Sequence, residues 1–149
     1  MRIALESPAQ PEVTRLIAAL DAYLQSLYPP ASNHLVQVAE LRGSAVLFAV
    51  VRDEAGIACG CGAVMPLPEG GEIKRMYVSP LLRGQGAGRG LLQFLEQQAA
   101  ERGMRLLRLE TGIHQPEALR LYERAGYARC PPFGGYQPDA MSVFMEKRL

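Results

Sequence analysis

The sequence has almost no net charge, few cysteines and no long hydrophobic run. Sixteen basic residues against fifteen acidic ones leave a formal charge of +1, which argues against a broad electrostatic surface for nucleic acid. No stretch approaches the roughly eighteen uncharged apolar residues of a membrane span. The N-terminus also lacks the apolar core of a signal peptide. We therefore expect a cytoplasmic protein that binds neither membranes nor nucleic acid.

The three cysteines indicate neither a disulfide nor a metal site. Their number is odd, and Cys59 and Cys61 are two residues apart, a spacing that suits neither a CxxC redox pair nor a zinc site. We interpret both as small core residues on one face of a strand, and we expect no bound metal.

The rest of the composition predicts one folded domain. The apolar content of 48% and the charged content of 21% are typical of globular proteins. A chain of 149 residues is also long enough to bury a real hydrophobic core. We therefore expect residues 1–149 to form a single domain.

Hydrophobic periodicity predicts the order of secondary-structure elements. The predicted strands lie at 2–5, 45–51, 57–65, 72–78, 106–110 and 142–146, and the predicted helices at 13–27, 32–41, 86–102 and 116–126. The proline- and glycine-rich segment 66–71 predicts a loop. The order β-α-α-β-β-β-α-β-α-β predicts an α/β (α+β) sandwich with a mixed sheet. The most regular unit of this sandwich is the right-handed crossover from the strand at 72–78, through the long helix, to the strand at 106–110.

A glycine-rich turn before the long helix is the strongest local signal. It reads Arg83-Gly84-Gln85-Gly86-Ala87-Gly88-Arg89-Gly90. Glycines leave backbone N–H groups uncovered, the helix start adds unpaired donors, and two arginines add cationic ones. The turn therefore predicts a site for a phosphate or diphosphate. The Walker ending Gly-Lys-Ser/Thr is absent, and the dinucleotide pattern G-x-G-x-x-G fails from either Gly84 or Gly86.

Two motifs resemble those of a known enzyme superfamily. Arg83-x-x-Gly86-x-Gly88, after the strand at 72–78, resembles the acyl-CoA-binding motif of the GNAT superfamily of N-acetyltransferases. Leu121-Tyr122-x-x-x-Gly126-Tyr127 is another feature of these enzymes. The resemblance covers nearly the whole chain and implies a small bacterial-type member with a mixed, mostly antiparallel sheet. It also implies acetyl-CoA as co-substrate.

The resemblance assigns coenzyme binding to a strand end, the glycine-rich turn and the following helices. The backbone at 76–78 would pair with the pantetheine arm like an added strand, and the turn would wrap the diphosphate. Gln115 stands where the family often has Asn. The residues assigned to the coenzyme are Met76, Tyr77, Val78, Arg83, Gly84, Gln85, Gly86, Ala87, Gly88, Arg89, Gln115 and Tyr122.

Acetyl transfer to an amine needs a neutral amine, a donor for the oxyanion and a proton for the departing thiolate. A phenol with a reference pKa of about 10 stays protonated at neutral pH. By resemblance, Tyr122 matches the family's general acid; alternatively, Tyr122 is only an aromatic residue of the core.

Glu72 matches, by resemblance, a glutamate that acts as the base in the histone-acetylating branch of the family, although a glutamate at a strand end is usually solvated. Glu110 could instead serve a water relay. By resemblance, the backbone N–H of Val78 or of its neighbour is the oxyanion donor.

The acceptor is expected between the N-terminal helices and the C-terminal hairpin. Its candidate residues are Tyr28, Asn33, His34, Arg75 and Tyr136. The Arg75 guanidinium could clamp the carboxylate of an amino-acid-like substrate, or it could form a salt bridge at the protein surface. We therefore expect transfer of acetyl from acetyl-CoA to the primary amine of a small molecule. Acetylation of a protein Lys or N-terminus, and a non-catalytic acyl-CoA sensor, stay open as alternatives, and relatives of this size are often homodimers.

Overall fold

The computed structural model describes residues 1–32 and 38–149. Its strands are β1 (Arg2–Leu5), β2 (Leu47–Arg52), β3 (Ala58–Leu67), β4 (Gly70–Val78), β5 (Leu106–Gly112), β6 (Ala128–Arg129) and β7 (Ser142–Arg148). Its α-helices are α1 (Pro11–Leu27), α2 (Val38–Leu41), α3 (Ala87–Glu101) and α4 (Pro116–Arg124), with 3-10 turns at Pro30–Ser32 and Pro80–Leu82. The predicted element order is confirmed, and the two-residue strand β6 is an addition to it.

The strands form one sheet in the order β1-β2-β3-β4-β5-β7-β6. Neighbouring strands are antiparallel except β4 and β5, which are parallel. The long helix α3 connects these two strands, as a parallel connection requires a crossover. The mixed, mostly antiparallel sheet expected from the sequence is therefore confirmed.

Helices cover both faces of the sheet. Along β2, Leu47, Ala49 and Val51 belong to one buried cluster with α3, whereas Phe48 and Val50 belong to another with α1. Because successive strand residues point to opposite faces, this division shows that β2 is buried on both sides. That explains why its sequence is a continuous apolar run rather than an alternating one. Among the described helices, none combines the length and apolar character needed to cross a bilayer.

The segment predicted as a loop at 66–71 is mostly strand, so that prediction is wrong. Strand β3 runs to Leu67 and β4 starts at Gly70, which leaves only Pro68 and Glu69 in the turn. Pro66 is tolerated because β2 pairs with β3 only as far as Val64, so one edge of β3 lacks a neighbour there. Position 70 requires glycine because the backbone of Leu106 passes close to it. A Cβ at this position would lie 2.1 Å from the carbonyl oxygen of Leu106.

Both Cys59 and Cys61 are buried, as predicted, but they do not share a face. Cys59 packs in the cluster on the α3 side and Cys61 in the cluster on the α1 side. The register between β2 and β3 shifts between Val51 and Arg52, which inserts an extra residue into β3 near Cys59. A bulge of this kind breaks the two-residue alternation on which the prediction of one face depended.

Candidate active site

The sheet splits open between β4 and β5. These strands pair only through Gly71, Glu72 and Ile73, after which Arg75 adopts a positive φ of 58°. The β3–β4 register shifts at the same level, so β4 bulges and turns away from β5. A pocket of about 100 Å³ lies in the split, between residues 73–76 of β4 and 110–112 of β5. We call it the small pocket.

The open edge of β4 offers backbone hydrogen-bond donors to the split. The Ser79 N–H donates to the Cys59 carbonyl at 2.8 Å, on the β3 side. Because amide directions alternate along an extended strand, the N–H of Val78 points the other way, towards the split. An extended ligand could pair with this edge as an added strand would.

The glycine-rich turn adopts the conformation that its composition predicts. Gly84 and Gly86 have φ values of 79° and 78°, in the left-handed region that favours glycine, and Gly86 is the N-cap of α3. The first backbone bond into α3 runs from Gly90 N–H to the Gly86 carbonyl, so the amides of residues 87–89 have no partner one turn earlier within the helix. These amides and the helix dipole form a surface complementary to a phosphate group.

The other two glycines of the turn serve packing. A Cβ on Gly88 would lie 3.4 Å from the Leu121 side chain of α4, and one on Gly90 would lie 3.3 Å from Ile3 of β1. The alternating glycines therefore differ in their surroundings. Gly84 and Gly86 shape the turn, whereas Gly88 and Gly90 lie where a side chain would contact α4 and β1.

A groove of about 980 Å³ runs from the glycine-rich turn to the split. We call it the large groove. The turn and α3 form one wall and α4 the other, and residues 76–78 of β4 lie at its inner end. Four arginines line it, and sequence reasoning named only the first two: Arg83, Arg89, Arg120 and Arg124. The sequence did contain a sign of the other two, because Arg120 and Arg124 are four residues apart in one predicted helix and so lie on the same face of it.

The large groove and the small pocket meet at Tyr122. In the part of the chain that the structure describes, five residues line both cavities: Leu20, Met76, Gln115, Ala118 and Tyr122. Tyr122 is 5% exposed, and its ring stands edge-on to Tyr127 with centroids 5.8 Å apart. Among the residues that the structure describes, none hydrogen bonds to its hydroxyl. Burial raises the pKa of Tyr122, so the hydroxyl is held in its protonated form.

Tyr28 and Gln115 lie together at the wall of the small pocket. The Tyr28 hydroxyl accepts hydrogen bonds from the backbone N–H of His114 at 3.0 Å and from Gln115 Nε2 at 3.5 Å. The ring of Tyr28 also stacks on His114, with centroids 5.5 Å apart. The structure therefore brings a predicted acceptor residue, Tyr28, against a predicted coenzyme residue, Gln115.

Replacing Gly112 by Ala should destabilise this wall. The new Cβ would lie 1.7 Å from the Tyr28 hydroxyl oxygen, so the ring must leave its place. Overpacking of this kind costs about 1–3 kcal/mol, which chemical denaturation measures as a lower midpoint. Combining G112A with Tyr28→Ala should cost clearly less than the sum of the two single changes, because the clash is then absent. Additive losses would show that Tyr28 does not occupy that space.

Glu72 lies in a cluster beside the small pocket rather than in either cavity wall. The Tyr136 hydroxyl donates to Glu72 Oε2 at 2.6 Å, Lys74 Nζ is 3.1 Å from the same oxygen, and Lys74 also bonds to Tyr136. Burial and the neighbouring Glu72 raise the pKa of Tyr136. Lys74 itself lines the small pocket. The structure therefore joins two predicted site residues, Glu72 and Tyr136, by a direct hydrogen bond, and Lys74, which the sequence did not single out, contacts both.

Arg75 lines the small pocket, but a carboxylate of the protein already holds it. Its guanidinium Nη1 pairs with Asp21 Oδ1 of α1, and its side chain is only 4% exposed. Arg75 therefore forms a salt bridge, as the alternative predicted, but a buried one rather than one at the surface. Asn33 and His34, the other two predicted acceptor residues, lie outside the described residues.

Glu110 is the carboxylate that lines the small pocket. It lies on β5, opposite the bulge of β4, and the hydroxyl of Ser142 donates to its Oε2 at 2.8 Å. Glu72 does not line the pocket. The two carboxylates that the sequence offered for proton removal therefore differ in their access to the cavity.

Comparison with known proteins decides the family. The model of the acetyltransferase (GNAT) family matches residues 13–127, most of the chain. The protein belongs to the GNAT family. Enzymes of this family use acetyl-CoA, and this chain is accordingly an N-acetyltransferase.

Relatives agree with this assignment over the full length of the GNAT chain. An IAA acetyltransferase of Azospirillum brasilense is 46% identical over 149 residues, covering 99% of this chain and 97% of the relative. A crystal structure from Klebsiella pneumoniae, assigned as an acyl-CoA N-acyltransferase, is 43% identical with a TM-score of 0.85, covering 99% and 97% of the two chains. An aminoglycoside 6′-N-acetyltransferase complexed with coenzyme A shares the fold at 19% identity, with a TM-score of 0.73 and coverage of 99% and 97%.

Proposed function

We propose that the protein transfers the acetyl group of acetyl-CoA to the primary amine of a small molecule, by direct attack through a tetrahedral intermediate. The observation that carries the proposal is the junction of the two cavities at the buried Tyr122. A groove with a phosphate-binding turn leads to it from one side, and a small pocket leads to it from the other. A module that only sensed the coenzyme would not need the second cavity.

The large groove fits acetyl-CoA. The turn and the first amides of α3 suit its diphosphate, and the outward-facing edge of β4 suits its amide-containing arm. When bound, acetyl-CoA supplies the thioester carbonyl that the amine attacks. The N–H of Val78 faces the split and would stabilise the negative charge that develops on that oxygen.

Tyr122 would protonate the departing thiolate. Its hydroxyl is buried between the cavities, and no described residue competes for its proton. Because burial raises the pKa of Tyr122 above its usual value of about 10, the phenol keeps its proton throughout the ordinary assay range. It therefore offers a donor that ionisation does not remove.

The small pocket sets the size of the acceptor. A cavity needs about 10–15 Å³ of volume to hold one water molecule. The small pocket, at about 100 Å³, therefore has room for roughly seven to ten groups of that size. This suits an acceptor of amino-acid size better than a folded protein surface. The full-length likeness to an enzyme named IAA acetyltransferase also supports a small-molecule acceptor.

We assign removal of the amine proton to Glu110, directly or through a water, and a supporting role to Glu72. Glu110 lines the pocket, whereas Glu72 is held by Tyr136 and Lys74 outside it. Glu110→Gln should lower kcat/KM by about 10²-fold, since general-base catalysis typically contributes 10²–10⁴-fold. Glu72→Gln should lower kcat/KM by a much smaller factor, because Glu72 does not line the pocket. The opposite pattern would assign the base to Glu72.

A panel of acceptors tests the proposed function. Release of the coenzyme thiol from acetyl-CoA is measured with small amines, with amino acids, and with lysine-containing peptides and peptides with free N-termini, and mass spectrometry identifies the acetylated product. We expect turnover with a small amine or amino acid. Efficient turnover with peptides alone would overturn the small-molecule proposal. Binding of acetyl-CoA without transfer to any acceptor would indicate a sensor.

A further inference from the structure

We infer that Arg120 and Arg124 of α4 form a subsite for a phosphomonoester, the 3′-phosphate of the coenzyme, separate from the diphosphate site at the glycine-rich turn. Both side chains line the wall of the large groove that faces the turn. The inference rests on the proposed use of acetyl-CoA as donor. According to this inference, α4 distinguishes acyl carriers that have a 3′-phosphate from those that lack one.

The charges of the large groove show which cations are available for a ligand. Lys147 Nζ is 3.0 Å from Glu96, and Arg83 Nε is 3.7 Å from Glu117, so these two cations have carboxylate partners. Three further arginines line the groove: Arg89, Arg120 and Arg124. Within residues 1–32 and 38–149, no carboxylate lies within ion-pair distance of any of these three.

The ion pair between Arg83 and Glu117 shows that the face of α4 carrying Glu117 is directed towards the glycine-rich turn. Glu117, Arg120 and Arg124 are spaced by three and four residues, so they lie on one face of the helix. Glu117 reaches across the groove to Arg83 of the turn. The arginines on the same face are therefore presented to a ligand that the turn holds.

Two like charges four residues apart on a helix repel each other. Arg120 has one backbone contact, from its Nε to the Pro116 carbonyl at 3.4 Å, which does not neutralise its charge. A dianion placed between the two guanidinium groups removes the repulsion and accepts several charge-assisted hydrogen bonds. A phosphomonoester carries the charge and geometry that such a pair binds well.

The glycine-rich turn offers enough donors for a diphosphate without the arginines of α4. The amides of residues 87–89, with Arg83 and Arg89, already match a diphosphate at the start of α3. Arg120 and Arg124 belong to the opposite wall. Coenzyme A has one further anionic group, the 3′-phosphate, and the second pair of arginines suits that group.

The test compares the binding of coenzyme A with that of 3′-dephospho-coenzyme A by calorimetry. We expect the wild-type protein to bind coenzyme A at least roughly tenfold more tightly, since a charge-assisted contact is worth about that factor or more. Arg120→Gln and Arg124→Gln should each reduce this ratio, and the double variant should bring it close to one. The preference should also shrink at high salt, because exposed contacts are screened.

The matched control is Arg15→Gln, an exposed helical arginine that lines neither cavity, which should leave the ratio unchanged. Equal wild-type affinity for the two coenzymes would overturn the inference. So would variants that weaken both coenzymes by the same factor, because all the arginines would then serve the diphosphate. In either case acetyl transfer with an unchanged kcat would leave the proposed function standing. If the protein bound no acyl-CoA, both proposals would fall.

Discussion

Replacing Tyr122 by Phe should lower kcat by about 10²- to 10³-fold, the size of a general-acid contribution, with the affinity for acetyl-CoA almost unchanged. The change removes one hydroxyl from the junction of the cavities and leaves the ring packed against Tyr127. Since no described residue bonds to that hydroxyl, the fold loses no hydrogen bond with it. Steady-state kinetics gives the kcat, and calorimetry gives the affinity and shows whether the site is intact.

Tyr127→Phe is the matched control for this experiment. Tyr127 is also a buried tyrosine, but its hydroxyl donates to Glu96 at 2.9 Å and it lines neither cavity. Its loss should reduce the free energy of unfolding by about 1–3 kcal/mol, because Glu96 loses a partner, and should leave kcat near the wild-type value. Wild-type turnover in Y122F would remove Tyr122 from the mechanism.

Replacing Gly86 by Val should weaken acetyl-CoA binding by roughly 5- to 150-fold, which corresponds to about 1–3 kcal/mol of backbone strain. A Cβ on Gly86 would meet nothing within 4 Å, so space does not forbid a side chain there. The backbone conformation is what disfavours valine at this position, because a β-branched residue rarely adopts a φ of 78°. The turn must then change its conformation and misdirect the amides at the start of α3.

Gly86→Asn separates the effect of φ from the effect of adding a side chain. Asn adopts the left-handed region more readily than other residues with a side chain, so G86N should keep much of the affinity that G86V loses. Thermal shift with acetyl-CoA, supported by calorimetry, measures both variants. If G86V bound acetyl-CoA like the wild type, the glycine-rich turn would not be the diphosphate site.

The parts predicted correctly from the sequence are those with a local cause. Leu91, Leu92 and Leu95 repeat at helical spacing and are buried along α3, and the continuous apolar run at 47–51 is a strand buried on both faces. The left-handed glycines of the turn likewise follow from residue type. Periodicity and backbone preference decide such features within a few residues of chain.

The parts that escaped prediction depend on contacts between distant segments. The partner of Arg75 is Asp21, 54 residues away, and Glu72 meets Tyr136, 64 residues away. The strand content of 66–71 depends on the pairing of β3 with β4, which continues to Leu67 and Gly70 and which local composition does not reveal. A local motif was therefore enough to predict a coenzyme site, which stays a prediction, whereas the pocket proposed for the acceptor is recognised only in the folded arrangement.

In the proposed mechanism, donor and acceptor occupy the two joined cavities at the same time. Initial rates measured against both acetyl-CoA and the best amine test this simultaneous binding. We expect double-reciprocal lines that intersect, as a ternary complex requires, and a protein mass that is unchanged after incubation with acetyl-CoA alone. Parallel lines, together with a protein that gains the mass of one acetyl group and passes it to the amine, would contradict direct transfer across the junction at Tyr122.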